Sequence, residues 1–96
     1  MPRVQRFYSV SVSTDVTQIV PYNPKRSGIL IRSYSGSEVF LSNDEVDTLN
    51  RGYPLAVGEF VSFLTADGDV PELPLYAVTA GGVANLRVVE TYGEVK

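Results

Sequence analysis

The chain has 96 residues, and its eight Lys and Arg against eleven Asp and Glu give a formal net charge of −3. This length indicates one domain, and the mild acidity argues against nucleic acid as a partner, because nucleic-acid binding needs a basic surface. The absence of cysteine and histidine excludes disulfides, thiolate metal sites and a Ser-His-Asp triad. A catalytic pair of carboxylates remains possible in principle, but the carboxylates cluster in loops beside glycine and proline, where solvation is the ordinary explanation. We therefore expect no enzyme, no catalytic residues, no cofactor and no metal.

Hydropathy argues against a membrane partner. No apolar run approaches the ~20 residues that span a bilayer. Residues 1–6 also lack the apolar stretch of a signal peptide. We expect a protein that is not secreted by that route.

The first half of the chain contains short alternating runs. In residues 7–13, Tyr8, Val10 and Val12 alternate with serines, which predicts a strand with one face in water. A second run over residues 16–20 ends at Pro21. Residues 29–34 are dense in apolar side chains and predict a central strand. A hairpin is expected across the following Ser-Gly-Ser turn, with Phe40 on the core face.

The second half begins with the least β-like segment, residues 43–53. One helical turn is expected there, capped by Asn43 or Asp44 and ended by Gly52. Residues 60–64 alternate again and predict a strand, and prolines and glycine predict a loop over residues 66–74. Two alternating runs then flank a glycine pair at residues 81–82, which predicts a closing β-hairpin.

Together these runs predict an all-β fold. About eight short strands favour an antiparallel β-sandwich or a jelly-roll-like domain in two packed layers. The expected boundaries are an N-terminal arm over residues 1–6, the sandwich over residues 7–92 and a C-terminal tail over residues 93–96.

Two loops raise the question of a ligand. Asp67, Asp69 and Glu72 offer hard oxygen ligands for calcium, but the same residues favour a turn without an ion, so both interpretations stay open. Lys25, Arg26 and Arg32 with Tyr22 and Tyr34 could imitate an aromatic-basic platform for nucleic acid. The negative net charge favours a structural role for them.

Protein contacts are the remaining kind of site. The arm is too short to fold alone but could add main-chain hydrogen bonds to a neighbouring sheet edge. The loop after residue 43 carries apolar side chains that need cover. The predicted interface residues are Pro2, Arg3, Val4, Arg6, Leu49, Tyr53 and Pro54.

From residue 20 to residue 91, the order of motifs resembles that of small β-sandwich structural proteins of tailed bacteriophages, the capsid decoration type. The motifs are Asn23-Pro24-Lys25-Arg26, Ile29-Leu30-Ile31-Arg32, Val39-Phe40-Leu41, Gly52-Tyr53-Pro54-Leu55, Gly58-Glu59, Leu75-Tyr76-Ala77-Val78 and Leu86-Arg87-Val88. The resemblance covers about three quarters of the chain and carries no catalytic residues with it.

The resemblance implies a structural virion protein, assembled in the host cytoplasm, that decorates and cements the outer surface of a phage head. Its partners would be the major capsid protein or other virion subunits, and we expect a homo-oligomer, with a trimer favoured. Two alternatives are a tail or head-tail connector component, and a carbohydrate- or receptor-binding module with Tyr22, Tyr34 and Tyr53 around a groove.

Overall fold

Antiparallel strands make up most of the computed structural model, which describes residues 4–46, 48–64, 68 and 70–93. Within these residues there are eight strands and one short helix. The strands are β1 Val4–Val12, β2 Thr17–Val20, β3 Arg26–Gly36, β4 Val39–Ser42, β5 Tyr53–Leu55, β6 Phe60–Leu64, β7 Leu75–Thr79 and β8 Ala84–Tyr92, and the helix is α1 Thr48–Arg51.

The strands form two four-stranded sheets. The first sheet has the order β1-β8-β3-β6 and the second has the order β2-β7-β4-β5, with every pairing antiparallel. This order is that of an eight-stranded jelly roll. The predicted all-β sandwich is therefore confirmed.

The two predicted hairpins, however, are wrong. β3 and β4 lie in different sheets, and so do β7 and β8, so each glycine-containing turn crosses from one layer to the other. The two crossing turns contact each other, because the Ser37 amide donates to the Val83 carbonyl at 3.2 Å. Gly36 has a φ of 97°, and a Cβ there would collide with the same Val83 carbonyl. The close approach of the turns therefore requires glycine.

Successive side chains along each strand point alternately into the core and toward the surface. In β8, Ala84, Leu86 and Val88 are buried, and the residues between them are more exposed. Phe40 was predicted on the core face, and this is wrong. Its neighbours Val39 and Leu41 are buried in the core, and with a side-chain period of two Phe40 must point to the other face.

The first strand begins earlier than the sequence pattern indicated. Val4 is paired with Tyr92, and the ladder with β8 runs without interruption to Val12. Residues 4–6 of the expected arm are thus part of β1. Residues 1–3 and 94–96 lie outside the described residues.

A buried arginine at the start of β3 connects several chain segments at one end of the sandwich. The Arg26 Nε donates to the Pro71 carbonyl at 2.8 Å, and one terminal nitrogen donates to the Glu90 carboxylate at 2.8 Å. The other terminal nitrogen donates to the carbonyls of Pro21 at 2.8 Å and Leu73 at 3.2 Å. This guanidinium therefore ties the loop after β2 and the loop before β7 to β8.

Two tyrosines complete the surroundings of the Glu90 carboxylate. The Tyr92 hydroxyl donates to Glu90 at 2.5 Å, and Tyr8 also hydrogen-bonds to it. Burial opposes ionisation of Glu90, but the hydrogen bonds from Tyr8, Tyr92 and Arg26 outweigh it and lower its pKa. Burial, followed by the nearby carboxylate, raises the pKa of both tyrosines.

Replacing Arg26 by methionine should destabilise the fold by about 3–5 kcal/mol, because Glu90 would remain buried without its cation. Equilibrium urea unfolding measures this. The double substitution Arg26→Met/Glu90→Leu should cost less than the sum of the two single substitutions, since no uncompensated charge remains. Additive losses would contradict the coupling.

The Glu90 contribution to stability should depend on pH. Because the folded-state pKa lies below the usual value of 4.5, this contribution is present above pH 4.5 and is lost as the pH falls through the folded-state pKa. The raised pKa values of Tyr8 and Tyr92 imply a second loss as the pH rises above their usual value of 10.0.

Urea unfolding of the wild type and of Glu90→Gln, from pH 7 to pH 2.5, tests the predicted loss of stability at low pH. The difference in unfolding free energy between the two should shrink below pH 4.5. A difference that stays constant over this range would contradict the assignment.

Candidate functional site

The strongest candidate for a functional surface is the outward side of the first sheet. The register places Phe7 opposite Val89, and Val89 opposite Leu30. The adjacent row places Arg87 opposite Arg32. We call this surface the outer face; it consists of Phe7, Leu30, Arg32, Phe60, Leu64, Arg87 and Val89.

Large apolar side chains on the outer face are exposed to solvent. Phe7 is 72% exposed and Phe60 is 63% exposed, and Leu30 and Leu64 are also exposed. Each lies on a strand whose alternate residues point into the sandwich, so none can reach the core. Phe7, Val89 and Leu30 form one continuous apolar row across three strands, and an exposed apolar surface of this kind is typical of an interaction site.

The outer face also carries two arginines that face each other across neighbouring strands. Arg32 on β3 is directly opposite Arg87 on β8, and like charges in that position destabilise a sheet. The Arg87 guanidinium lies 4.3 Å from the centre of the Tyr34 ring, a cation–π distance. Among the described residues, neither arginine forms an ion pair with a carboxylate.

The second sheet differs because a segment of the chain covers its outward side. The helix α1 contacts β4 and β7. Val78 of β7 is buried, although it points away from the core residue Ala77. Thr48 of α1 is buried too, and its hydroxyl donates to the Asp44 carbonyl at 3.0 Å. In the described part of the chain, nothing comparable covers the outer face.

A cleft of about 320 Å³ is a weaker candidate. It lies beside the loop before β7 and is lined largely by apolar side chains, including Ile29, Phe63, Leu73 and Leu75. Its described lining contains no titratable side chain, so it offers no acid–base chemistry.

The loop considered for calcium lies only partly within the described residues. Asp67 and Asp69 lie outside the described residues. Glu72 is described, and its Oε1 is buried without a hydrogen-bond partner. No group of three or more potential metal ligands occurs in the described ranges.

The predicted interface residues are distributed over two regions. Pro2 and Arg3 lie outside the described residues, and the Val4 backbone belongs to β1. Arg6 is an exposed residue of β1. Leu49, Tyr53 and Pro54 are exposed in α1 and β5, and their role as contacts remains a prediction.

The structure does not bring together the three tyrosines of the expected carbohydrate- or receptor-binding groove, or all the residues of the expected aromatic-basic platform. Tyr22 lies in the loop after β2, Tyr34 on the first sheet and Tyr53 at the start of β5 in the second sheet. Arg26, one of the three cations of the aromatic-basic platform, is buried. These residues therefore do not form one groove or one basic surface.

The outer face itself was missed in the sequence. The sequence contains an indication of it, because large apolar residues occur at strand positions that face away from the core. These are Phe7, which stands on the serine-bearing face of its strand, and Leu30 and Phe60 in other alternating strands. Only the strand register shows that these residues are neighbours, because they come from segments more than 20 residues apart.

Comparison with known proteins shows a similarity in fold to a solved structure, and it shows no family for this chain. No family model matches the chain, and no curated protein matches it. A solved structure described as "Bacillus endospore appendages form a novel family of disulfide-linked pili" is similar, with a TM-score of 0.53 and 14% identity. The match covers 97% of this chain and 89% of that chain.

This comparison corrects the expected function. The similar structure belongs to an appendage protein and not to a phage capsid protein, so the expectation of a capsid decoration protein is wrong. The motifs behind that resemblance are strand and turn motifs of a jelly roll, and this fold serves many functions. In addition, no helix in the described ranges is long and apolar enough to cross a membrane.

Replacing Arg32 by glutamate should stabilise the isolated domain by roughly 0.2–1 kcal/mol, because it converts a like-charged cross-strand pair into an opposite-charged pair. Urea unfolding at low protein concentration measures this effect, with Arg32→Gln as the control for loss of the positive charge alone. Equal stability of the Glu and Gln variants would contradict a direct Arg32–Arg87 repulsion.

Proposed function

We propose that this protein is a structural subunit that assembles with further copies of the same chain through the outer face. The product is an extended assembly held together without covalent links, of the kind that forms a surface appendage. The protein acts by presenting contact surface and catalyses no reaction. The exposed apolar and arginine-bearing outer face is the observation that carries this proposal.

The composition of the outer face supports a protein partner. Aromatic side chains and arginine are enriched in protein interfaces, whereas lysine and glutamate are depleted there. The outer face follows this pattern, with Phe7 and Phe60 exposed beside Arg32 and Arg87. Large aromatic side chains of this kind contribute most of the binding energy in many interfaces.

Two further considerations support a second copy of the chain as the partner. A 96-residue domain without cysteine has a small core and no covalent cross-links, so association with other copies adds stability. The similar structure is described as that of disulfide-linked pili. These 96 residues contain no cysteine, so copies of this chain would associate without disulfides between them.

The substitution Phe60→Ser should weaken self-association by at least about tenfold, because truncating an aromatic hot spot costs about 2 kcal/mol or more. Sedimentation velocity over a concentration series, together with negative-stain electron microscopy, measures the assembly state. Tyr22→Ser is the matched control, since Tyr22 is also aromatic and is 61% exposed in a loop away from the outer face. A wild-type chain that stays monomeric at high concentration, or an equal effect of both substitutions, would overturn the proposal.

A further inference from the structure

The outer face has a charge that no residue on it can neutralise. It carries Arg32 and Arg87 and no carboxylate. If two outer faces paired with their arginine rows aligned, four arginines would meet across the interface, and like-charge juxtaposition costs several kcal/mol. A partner for this face must therefore bring acidic groups together with apolar side chains.

One segment of the same chain has this chemistry. Residues 44–53, which we call the α1 segment, contain three carboxylates and one arginine, a net charge of −2. Its apolar side chains are exposed, with Val46 at 63%, Leu49 at 41% and Tyr53 at 60%. Asp44 and Glu45 are exposed as well, and neither forms an ion pair among the described residues.

The other exposed carboxylates of the described residues fit less well. Glu59 accepts a hydrogen bond from the Ala56 amide at 2.8 Å, much as Asp44 accepts from the Val46 amide, but it has no second carboxylate beside it in the sequence. Asp15 has one exposed apolar neighbour, Val16. Glu38 lies between Ser37 and the buried Val39 in the sequence, and neither is an exposed apolar residue.

The placement of the two surfaces determines the geometry of association. The outer face belongs to the first sheet, whereas α1 contacts β4 and β7 of the second sheet. When the α1 segment of one copy binds the outer face of the next, the first copy still has its own outer face unoccupied and the second copy still has its own α1 segment unoccupied. Such head-to-tail contacts continue from copy to copy and form a ring or an open filament.

We propose that the α1 segment of a second copy is the partner of the outer face, with Asp44 and Glu45 opposite Arg32 and Arg87. This inference rests on the proposed function and specifies its interface. It also assigns the predicted contacts Leu49 and Tyr53 to that interface.

Charge exchange between two variants tests the contact. The face variant Arg32→Glu/Arg87→Glu keeps a like-charged pair across β3 and β8, although it removes the contact of the Arg87 guanidinium with the Tyr34 ring. The segment variant is Asp44→Asn/Glu45→Lys. Asparagine retains the side-chain oxygen that accepts from the Val46 amide at 2.9 Å.

Each variant alone should self-associate at least about tenfold more weakly than the wild type, because like charges now meet at the interface. An equimolar mixture should recover association to within about threefold of the wild type, since each variant then meets an opposite charge on the other. Sedimentation velocity gives the constants, and circular dichroism confirms that both variants fold.

Four results would overturn the inference, and they differ in what they say about the proposed function. A monomeric wild type overturns both. If the wild type self-associates and the segment variant self-associates equally well, only the α1 segment as partner is overturned. The same holds if association does not recover in the mixture. Wild-type association should also weaken with increasing salt, because exposed charges are screened. Salt-independent association would overturn the charge pairing even if a variant failed to fold.

Discussion

One buried guanidinium is the interaction on which the architecture depends. Arg26 donates to the Glu90 carboxylate and to the carbonyls of Pro21, Pro71 and Leu73, so two loops and a central strand meet at a single side chain. Removing a charge from water is costly and is compensated only by a complete set of partners. The loops must therefore adopt the positions that supply those partners. At the other end of the β3–β8 ladder, the crossing turns meet through Ser37 and Val83.

Between these two ends, the direction of each side chain follows from the pleat. Ile29 and Ile31 of β3 point into the core, which forces Leu30 and Arg32 outward. The same alternation in β8 turns Arg87 outward, opposite Arg32. The second sheet is covered by α1, but the first sheet has no such cover among the described residues. The two sides of the sandwich are thus chemically different, which suits a subunit that contacts one neighbour with each side.

The relationship to an appendage protein extends to the fold and no further, because a similarity at 14% identity shows the fold alone. The absence of cysteine in these 96 residues excludes disulfides within them, and the proposed assembly depends on apolar burial and charge complementarity. Such contacts respond to salt and to concentration, whereas a disulfide responds to redox conditions. The same sandwich can therefore serve assemblies of different chemistry, since the fold supplies surfaces and the exposed residues decide how the surfaces bind.

Local patterns in the sequence determined the strands, the turns, the helical excursion after residue 43 and the all-β class, because alternation and turn residues act over a few positions. Only the tertiary structure decided which sheet each strand joins. The turns at Gly36 and Gly82 have hairpin composition, yet both cross between layers. Lys25-Arg26 has the composition of a surface pair, yet Arg26 is buried. Its partner Glu90 is 64 residues away in the sequence, and the outer face combines residues from four strands. Such neighbours are set by long-range pairing, which no local pattern encodes.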